Sequence, residues 1–147
     1  MYVIQCIPFQ KLFKVKMSNF KLLKELAQSS SVLIVEDQKE LNNEFFEFFS
    51  LFFKNVQSAF NGEEGLAKLL EQDFDIVISD ITMPVKNGID MIKEFKNINS
   101  IKSPNFIIIS GHTSEYKDKI EKLELKYYFE KPHNTEILCD TLIKILS

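Results

Sequence analysis

Residues 76–80 read Ile76-Val77-Ile78-Ser79-Asp80, a short apolar run that ends on an acid. Such a run, with no alternation of polar residues, suits a strand buried on both faces, as parallel strands are when helices lie above and below the sheet. The same form recurs at 32–35, followed by Glu36 and Asp37, and at 106–109, followed by Ser110. Two further runs, at 56–59 and 127–129, are more polar and suit the edges of that sheet. Amphipathic stretches between them predict helices over about 39–53, 63–71, 88–97, 114–123 and 134–146. The last carries Ile137, Leu138, Thr141, Leu142 and Ile145 on one stripe. A strand followed by a helix, five times over, is the pattern of βαβ units around a parallel sheet.

Bulk properties agree with one such domain. The chain has 147 residues, 45% hydrophobic and 27% charged, with four Gly and four Pro, a composition able to build a single ordered core. A formal net charge of −3 gives no electrostatic reason to approach nucleic acid, so no nucleic-acid partner is expected. The two cysteines, Cys6 and Cys139, lie far apart without a Cys-x-x-Cys pair, which points away from zinc and from a disulfide framework and toward a reducing, cytoplasmic setting. The apolar start at 1–9 is broken by Gln5 and Pro8 and has no basic segment ahead of it. Neither a signal peptide nor a membrane span is expected.

In a parallel sheet the loops at the carboxyl ends of the strands share one rim, where binding crevices form. That rim would gather Glu36 and Asp37, then Asp80, then Ser110, then Lys131 and Pro132. Any one of these acids alone would as easily cap a helix or face water. Three together repel one another, and a cation relieves the repulsion. Mg²⁺ favours such oxygen ligands, commonly one or two carboxylates with waters and phosphate oxygens. A carboxylate at a buried strand end can also attack a phosphoryl group, provided that a metal and a positive side chain balance the charge. Lys131, held between a strand and Pro132, suits the second role, and the Ser110 hydroxyl can donate to the same oxygens.

These pieces, in this order, resemble the receiver domain of bacterial two-component response regulators. The matching stretches are Val32-Leu33-Ile34-Val35-Glu36-Asp37, the segment from Ala59 through Asn61-Gly62 to Leu66, Asp80-Ile81-Thr82-Met83-Pro84 through Gly88, Ile107-Ile108-Ile109-Ser110, and Lys131-Pro132. The resemblance covers 31–147. It implies an α/β fold of the flavodoxin-like, doubly wound (βα)5 type, with a five-stranded parallel sheet in the order 2-1-3-4-5 and helices on both faces. It implies that Asp80 accepts the phosphoryl group. Asp37 would bind Mg²⁺ directly, Glu36 through water, and Asp80 and the Thr82 carbonyl would complete the metal set. Ser110 and Tyr128 would be the switch pair, Lys131 the counter-ion, Thr82 and His112 the residues that set phosphoryl lifetime, and the bond before Pro132 would be cis.

The resemblance further implies a phosphorylation-dependent switch and not an enzyme in its own right, although it assists its own phosphorylation and dephosphorylation. A sensor histidine kinase or phosphotransfer protein would supply the phosphoryl group, and a protein partner would dock on the face formed by the helix at 114–123, the strand at 127–129 and the last helix. No membrane partner and a monomer or weak dimer are expected. Glu36 replaces the commoner aspartate, and Gly65 stands where alanine is usual. Two Mg²⁺- or phosphate-linked alternatives fit less well. A haloacid-dehalogenase phosphatase would want an acid where Thr82 stands, and a flavin binder would want a phosphate loop where Glu36 and Asp37 stand. A receiver that docks without phosphorylation is a further alternative, against which the presence of every chemical position argues.

Residues 1–30 stand outside this pattern as an extension, with a short helix expected over 19–28 and Met17 an alternative start. The chain stops two residues after Ile145, so no attached output domain is expected. The stretch 42–53 carries six phenylalanines, more than one core-facing stripe needs. Phe45, Phe48, Phe49 and Phe52 are expected to face the sheet, and Phe46 and Phe53 the outer flank, covered by the extension or a second subunit.

Overall fold

The computed structural model describes residues 16–98 and 102–147, so Cys6 and the apolar stretch at 1–9 lie outside the described residues. In chain order the elements are α1 (Met17–Ala27), β1 (Ser31–Val35), α2 (Lys39–Ser50), β2 (Asn55–Ala59), α3 (Gly62–Glu71), β3 (Ile76–Ser79), α4 (Gly88–Ile98), β4 (Asn105–Ser110), α5 (Lys117–Lys122), β5 (Tyr127–Glu130) and α6 (Thr135–Leu146). The strands form one parallel sheet in the order β2-β1-β3-β4-β5. The two more polar strands therefore lie at its edges, where only one neighbour covers them.

Successive side chains of a strand point to opposite faces, and this divides the core into two layers. Val32, Ile34, Ile76, Ile78, Ile107 and Ile109 pack against α2, α6 and α1; Leu33, Val35, Val77, Phe106 and Ile108 pack against α3, α4 and α5. The register pairs Val35 with both Ala59 and Ser79, and Ser110 with Glu130. The carboxyl ends of the strands are thus level, and the loops that follow them meet at one rim.

Two glycines permit close approaches. A Cβ on Gly88 would lie 2.0 Å from the Asp80 carbonyl oxygen, so α4 can start against the Asp80 backbone only with glycine there. A Cβ on Gly65 would meet the Met91 sulfur at 2.5 Å and the Val35 methyls at 3.1 and 3.2 Å. Here the large Met91 fills the space that an alanine at 65 would take.

Four expectations need correction, the first being that Ile137 lies on the core-facing stripe of the last helix, where it is in fact 49% exposed. Helix α2 ends at Ser50, not Phe53: the N–H groups of Leu51 and Phe52 reach back three residues to Phe48 and Phe49, which tightens and closes the last turn. Phe53 then turns inward and is 5% exposed, its ring packed edge-on at 5.8 Å against Phe49, so it does not face the outer flank. The helix expected at 114–123 is reduced to Lys117–Lys122, because residues 111–116 are taken up by turns. Phe46 does point outward, at 39% exposure.

Helix α1, slightly longer and earlier than expected, docks on the domain. Leu23 and Ala27 are fully buried, and the Phe20 ring meets Phe52 edge-on at 4.9 Å. Asn19 donates to Asp140 at 2.8 Å, and Lys16 pairs with Glu136, so α1 runs alongside α6 in the same direction. It covers Phe52 and leaves Phe46 in water.

Candidate phosphoryl and metal site

Two of the three rim acids are fixed by their own backbone before any side-chain contact is made. The Glu36 N–H donates to the Ala59 carbonyl at 3.0 Å, extending β1 beyond its last strand residue, and the Asp80 N–H donates to the Val35 carbonyl at 3.0 Å. Glu36 and Asp80 are therefore carried out to the same height on neighbouring strands. One carboxylate oxygen each of Glu36, Asp37 and Asp80 lies within 4.8 Å of the others.

Lys131 reaches this group from β5. Its Nζ donates to Glu36 Oε1 at 2.8 Å and to Asp80 Oδ2 at 3.1 Å. The peptide before Pro132 is cis. The remaining oxygens have backbone donors: Gln38 N–H to Glu36 Oε2 at 3.1 Å, and Ile81 N–H to Asp80 Oδ1 at 2.7 Å. Hydrogen bonds of this charge-assisted kind hold both carboxylates in defined orientations.

Burial pushes the Glu36 carboxyl above the ordinary carboxylate range; the Lys131 and Gln38 bonds oppose that rise, and Asp37 and Asp80 add to it. For Lys131, burial pulls downward, but the bonds to Glu36 and Asp80 outweigh it and leave the ammonium above the usual lysine value. Three carboxyl groups face one ammonium, an excess of negative charge that a divalent cation would offset. The donor set consists of carboxylate oxygens, as a hard ion such as Mg²⁺ requires. The residues fit such an ion.

Ser110 is fully buried at the end of β4. Its hydroxyl oxygen accepts the His112 N–H at 3.2 Å, and its carbonyl accepts the Lys131 N–H at 3.0 Å, so it lies beside the lysine with its own proton free to donate. Thr82 is exposed, two residues beyond Asp80. His112 is exposed, with Nδ1 3.4 Å from Glu115 Oε1, and Tyr128 is 44% exposed on β5. No bond among the described residues joins these three to the acids. Cys139 is buried, and its thiol is pushed up to about 12 by that burial, with Asp140 and Glu136 adding to the rise; it stays protonated at neutral pH.

Two polar residues absent from the sequence reading are part of the surroundings. Thr113, buried in the loop after β4, donates to Glu130 Oε1 at 2.9 Å. Asn42, with no exposed surface, bonds to Glu36, Ala59 and Ser58. Asn42 shares the inward stripe of α2 with Phe45 and Phe49, three and seven residues on, and an amide at such a position was a legible sign.

Fold, rim and acid group together define a doubly wound α/β domain with an acidic site at the carboxyl ends of its strands. The response regulator receiver domain family matches residues 32–143, and the chain belongs to that family of two-component signalling proteins. It is 34% identical over 119 residues to the transcriptional regulatory protein CpxR of Klebsiella pneumoniae, covering 80% of this chain and 49% of that protein. It is 28% identical over 120 residues to the chemotaxis protein CheY of Halobacterium salinarum, covering 81% of this chain and 98% of that one. Among solved structures, Vibrio cholerae CheY4 aligns with a TM-score of 0.72 at 28% identity, over 80% of this chain and 99% of the other. The chain spans about half the length of the transcriptional regulators it matches. Among the described residues no helix is long and apolar enough to cross a membrane.

Proposed function

We propose that this chain is a phosphorylation-dependent switch in which Asp80 accepts a phosphoryl group from a phosphohistidine donor, a sensor kinase or phosphotransfer protein. The observation that carries this reading is the convergence of three carboxylates within 4.8 Å with the Lys131 ammonium 3.1 Å from Asp80. Asp37 and Asp80 are the residues to hold Mg²⁺, with the Thr82 carbonyl, while Glu36 contributes through water. Bound there, the ion would neutralise phosphoryl oxygens that the acids alone would repel.

The chain's own residues do the rest. The Asp80 carboxylate oxygen forms the new bond to phosphorus as the bond to the donor nitrogen breaks, and the nitrogen keeps the electron pair. Lys131, already aimed at Asp80, pairs with a phosphoryl oxygen, and the Ser110 hydroxyl donates to another. Ile81 N–H keeps the other Asp80 oxygen oriented. Thr82 and His112, exposed beside the rim, shape access of water and so the lifetime of the acyl phosphate.

The added phosphoryl brings about 1.5 to 2 negative charges to the rim. It favours whichever conformation draws Ser110 and Lys131 inward, and only by the free energy with which it prefers that state. Tyr128, with α5, β5 and α6, then offers the altered surface to a downstream protein in the cytoplasm. The test is incubation with Mg²⁺ and acetyl phosphate followed by intact-mass measurement. One phosphoryl addition, lost with a chelator and in Asp80→Asn, is expected; no addition to the wild type, or addition that survives Asp80→Asn, overturns the reading.

A further inference from the structure

Asn42 has two amide protons, and both are spent on one junction. Its Nδ2 donates to the Glu36 carbonyl at 2.9 Å and to the Ala59 carbonyl at 3.0 Å, while its Oδ1 accepts the Ser58 hydroxyl at 2.6 Å. The two carbonyls can only accept, so they must face the amide nitrogen, which leaves the amide oxygen for the Ser58 hydroxyl and fixes the orientation of the amide. Asn42 has no exposed surface and both carbonyl bonds are buried, so their loss is not made good by solvent, whereas the Ser58 end is only partly buried.

The Glu36 carbonyl belongs to the peptide plane that joins Glu36 to Asp37. The plane before it is held by the Glu36 N–H on the Ala59 carbonyl, so that one carbonyl accepts from both Glu36 and Asn42. Together these bonds set the backbone angles of Glu36 and the direction in which Asp37 leaves it. The two buried acids have further restraints: Lys131 and Gln38 on Glu36, Lys131 and Ile81 on Asp80. Asp37 has none of that kind; among the described residues no N–H or O–H from outside the acid group reaches its carboxylate. Its aim depends on the backbone, and the backbone there depends on Asn42.

We infer that Asn42 is a positioning residue for the divalent-cation site, one that acts on the ion through the Glu36–Asp37 peptide and never touches it. The inference rests on the reading of Glu36, Asp37 and Asp80 as that site. Ser58 is the second part of the device, because it anchors the far side of the amide from β2 without contacting the acid loop. Outer partners of this kind typically change metal affinity by about 10- to 100-fold.

The test is a Mg²⁺ titration of the full chain, followed by the chemical shifts of the Asp37 and Asp80 amides, for wild type, Asn42→Ala and Ser58→Ala. Acetyl phosphate uptake is measured in parallel at limiting and saturating Mg²⁺. The expected result is Mg²⁺ affinity weaker by about 10- to 100-fold in Asn42→Ala and by a smaller factor in Ser58→Ala. Uptake should fall at limiting Mg²⁺ and return at saturation. Unchanged Mg²⁺ affinity with a lowered melting temperature, or a loss of uptake that saturation does not restore, would mark Asn42 as a core residue only and overturn the inference. If Asn42→Ala does not fold, Ser58→Ala decides by the same criterion. A wild type that shows no Mg²⁺ response refutes the site itself, an outcome distinct from a wild type that binds and variants that bind equally well.

Discussion

The rim of the sheet and its aromatic flank are built on different principles. At the rim, polar groups are buried and each is held by named hydrogen bonds: Glu36 by Lys131 and Gln38, Asp80 by Lys131 and Ile81, Asn42 by three partners. On the flank, Phe45, Phe48, Phe49, Phe52 and Phe53 meet one another ring to ring at 5.3 to 5.9 Å, contacts between rings that carry no hydrogen-bonding group of their own. Directional bonds specify one arrangement at a cost in desolvation, whereas dispersion and area burial stabilise without choosing direction. The flank should therefore carry stability and the rim chemistry.

Phe49→Ala should have the largest effect on folding. The ring is fully buried and touches Phe45, Phe48 and Phe53, so its removal should cost about 3–5 kcal/mol in a denaturant titration. Leu23→Ala should follow with about 2–5 kcal/mol, since Leu23 is fully buried although it lies on α1, ahead of the matched family region. A change near zero would show that α1 is detachable and that the flank ends at α2.

At the rim the largest expected effect is on binding. Asp37→Asn should weaken Mg²⁺ by at least about 100-fold, more than the usual loss of an outer partner, with little effect on unfolding. Glu36→Gln should raise the stability of the metal-free protein at neutral pH. The Glu36 carboxyl titrates higher in the fold than in the unfolded chain, chiefly because it is buried. Its contribution is therefore fully present below the ordinary carboxylate value and lost as pH rises through the folded one. The advantage of Glu36→Gln should appear above that window and vanish below it, as urea titrations at several pH values would show. Phe46→Ala is the smallest case; its ring is on the flank but outward, and the change should stay within about 0.5 kcal/mol.

The same contrast explains what the sequence made legible. All five strands lie within one residue of their expected bounds; for the three central ones the reason is that a strand covered by helices on both faces must be an apolar run. Glu36, Asp37, Asp80 and Lys131 were legible as a group, since strand ends of a parallel sheet have to meet. Phe53 was not: Leu51, Phe52 and Phe53 continue the apolar spacing of α2, and no glycine or proline marks the end at Ser50. Only the tertiary fit of the flank decides which phenylalanine turns inward. Asn42 was legible only as an amide on an inward stripe; its partners, mostly backbone carbonyls of other strands, come together only in the fold.

Locating the phosphoryl group on the chain tests the role of Asp80 most directly. Protein treated with Mg²⁺ and acetyl phosphate is reduced with borohydride, which converts an aspartyl phosphate to homoserine, and the peptides are mapped. Homoserine at Asp80 and nowhere else is the predicted result; modification at another residue, or none in a protein that binds Mg²⁺, would contradict it.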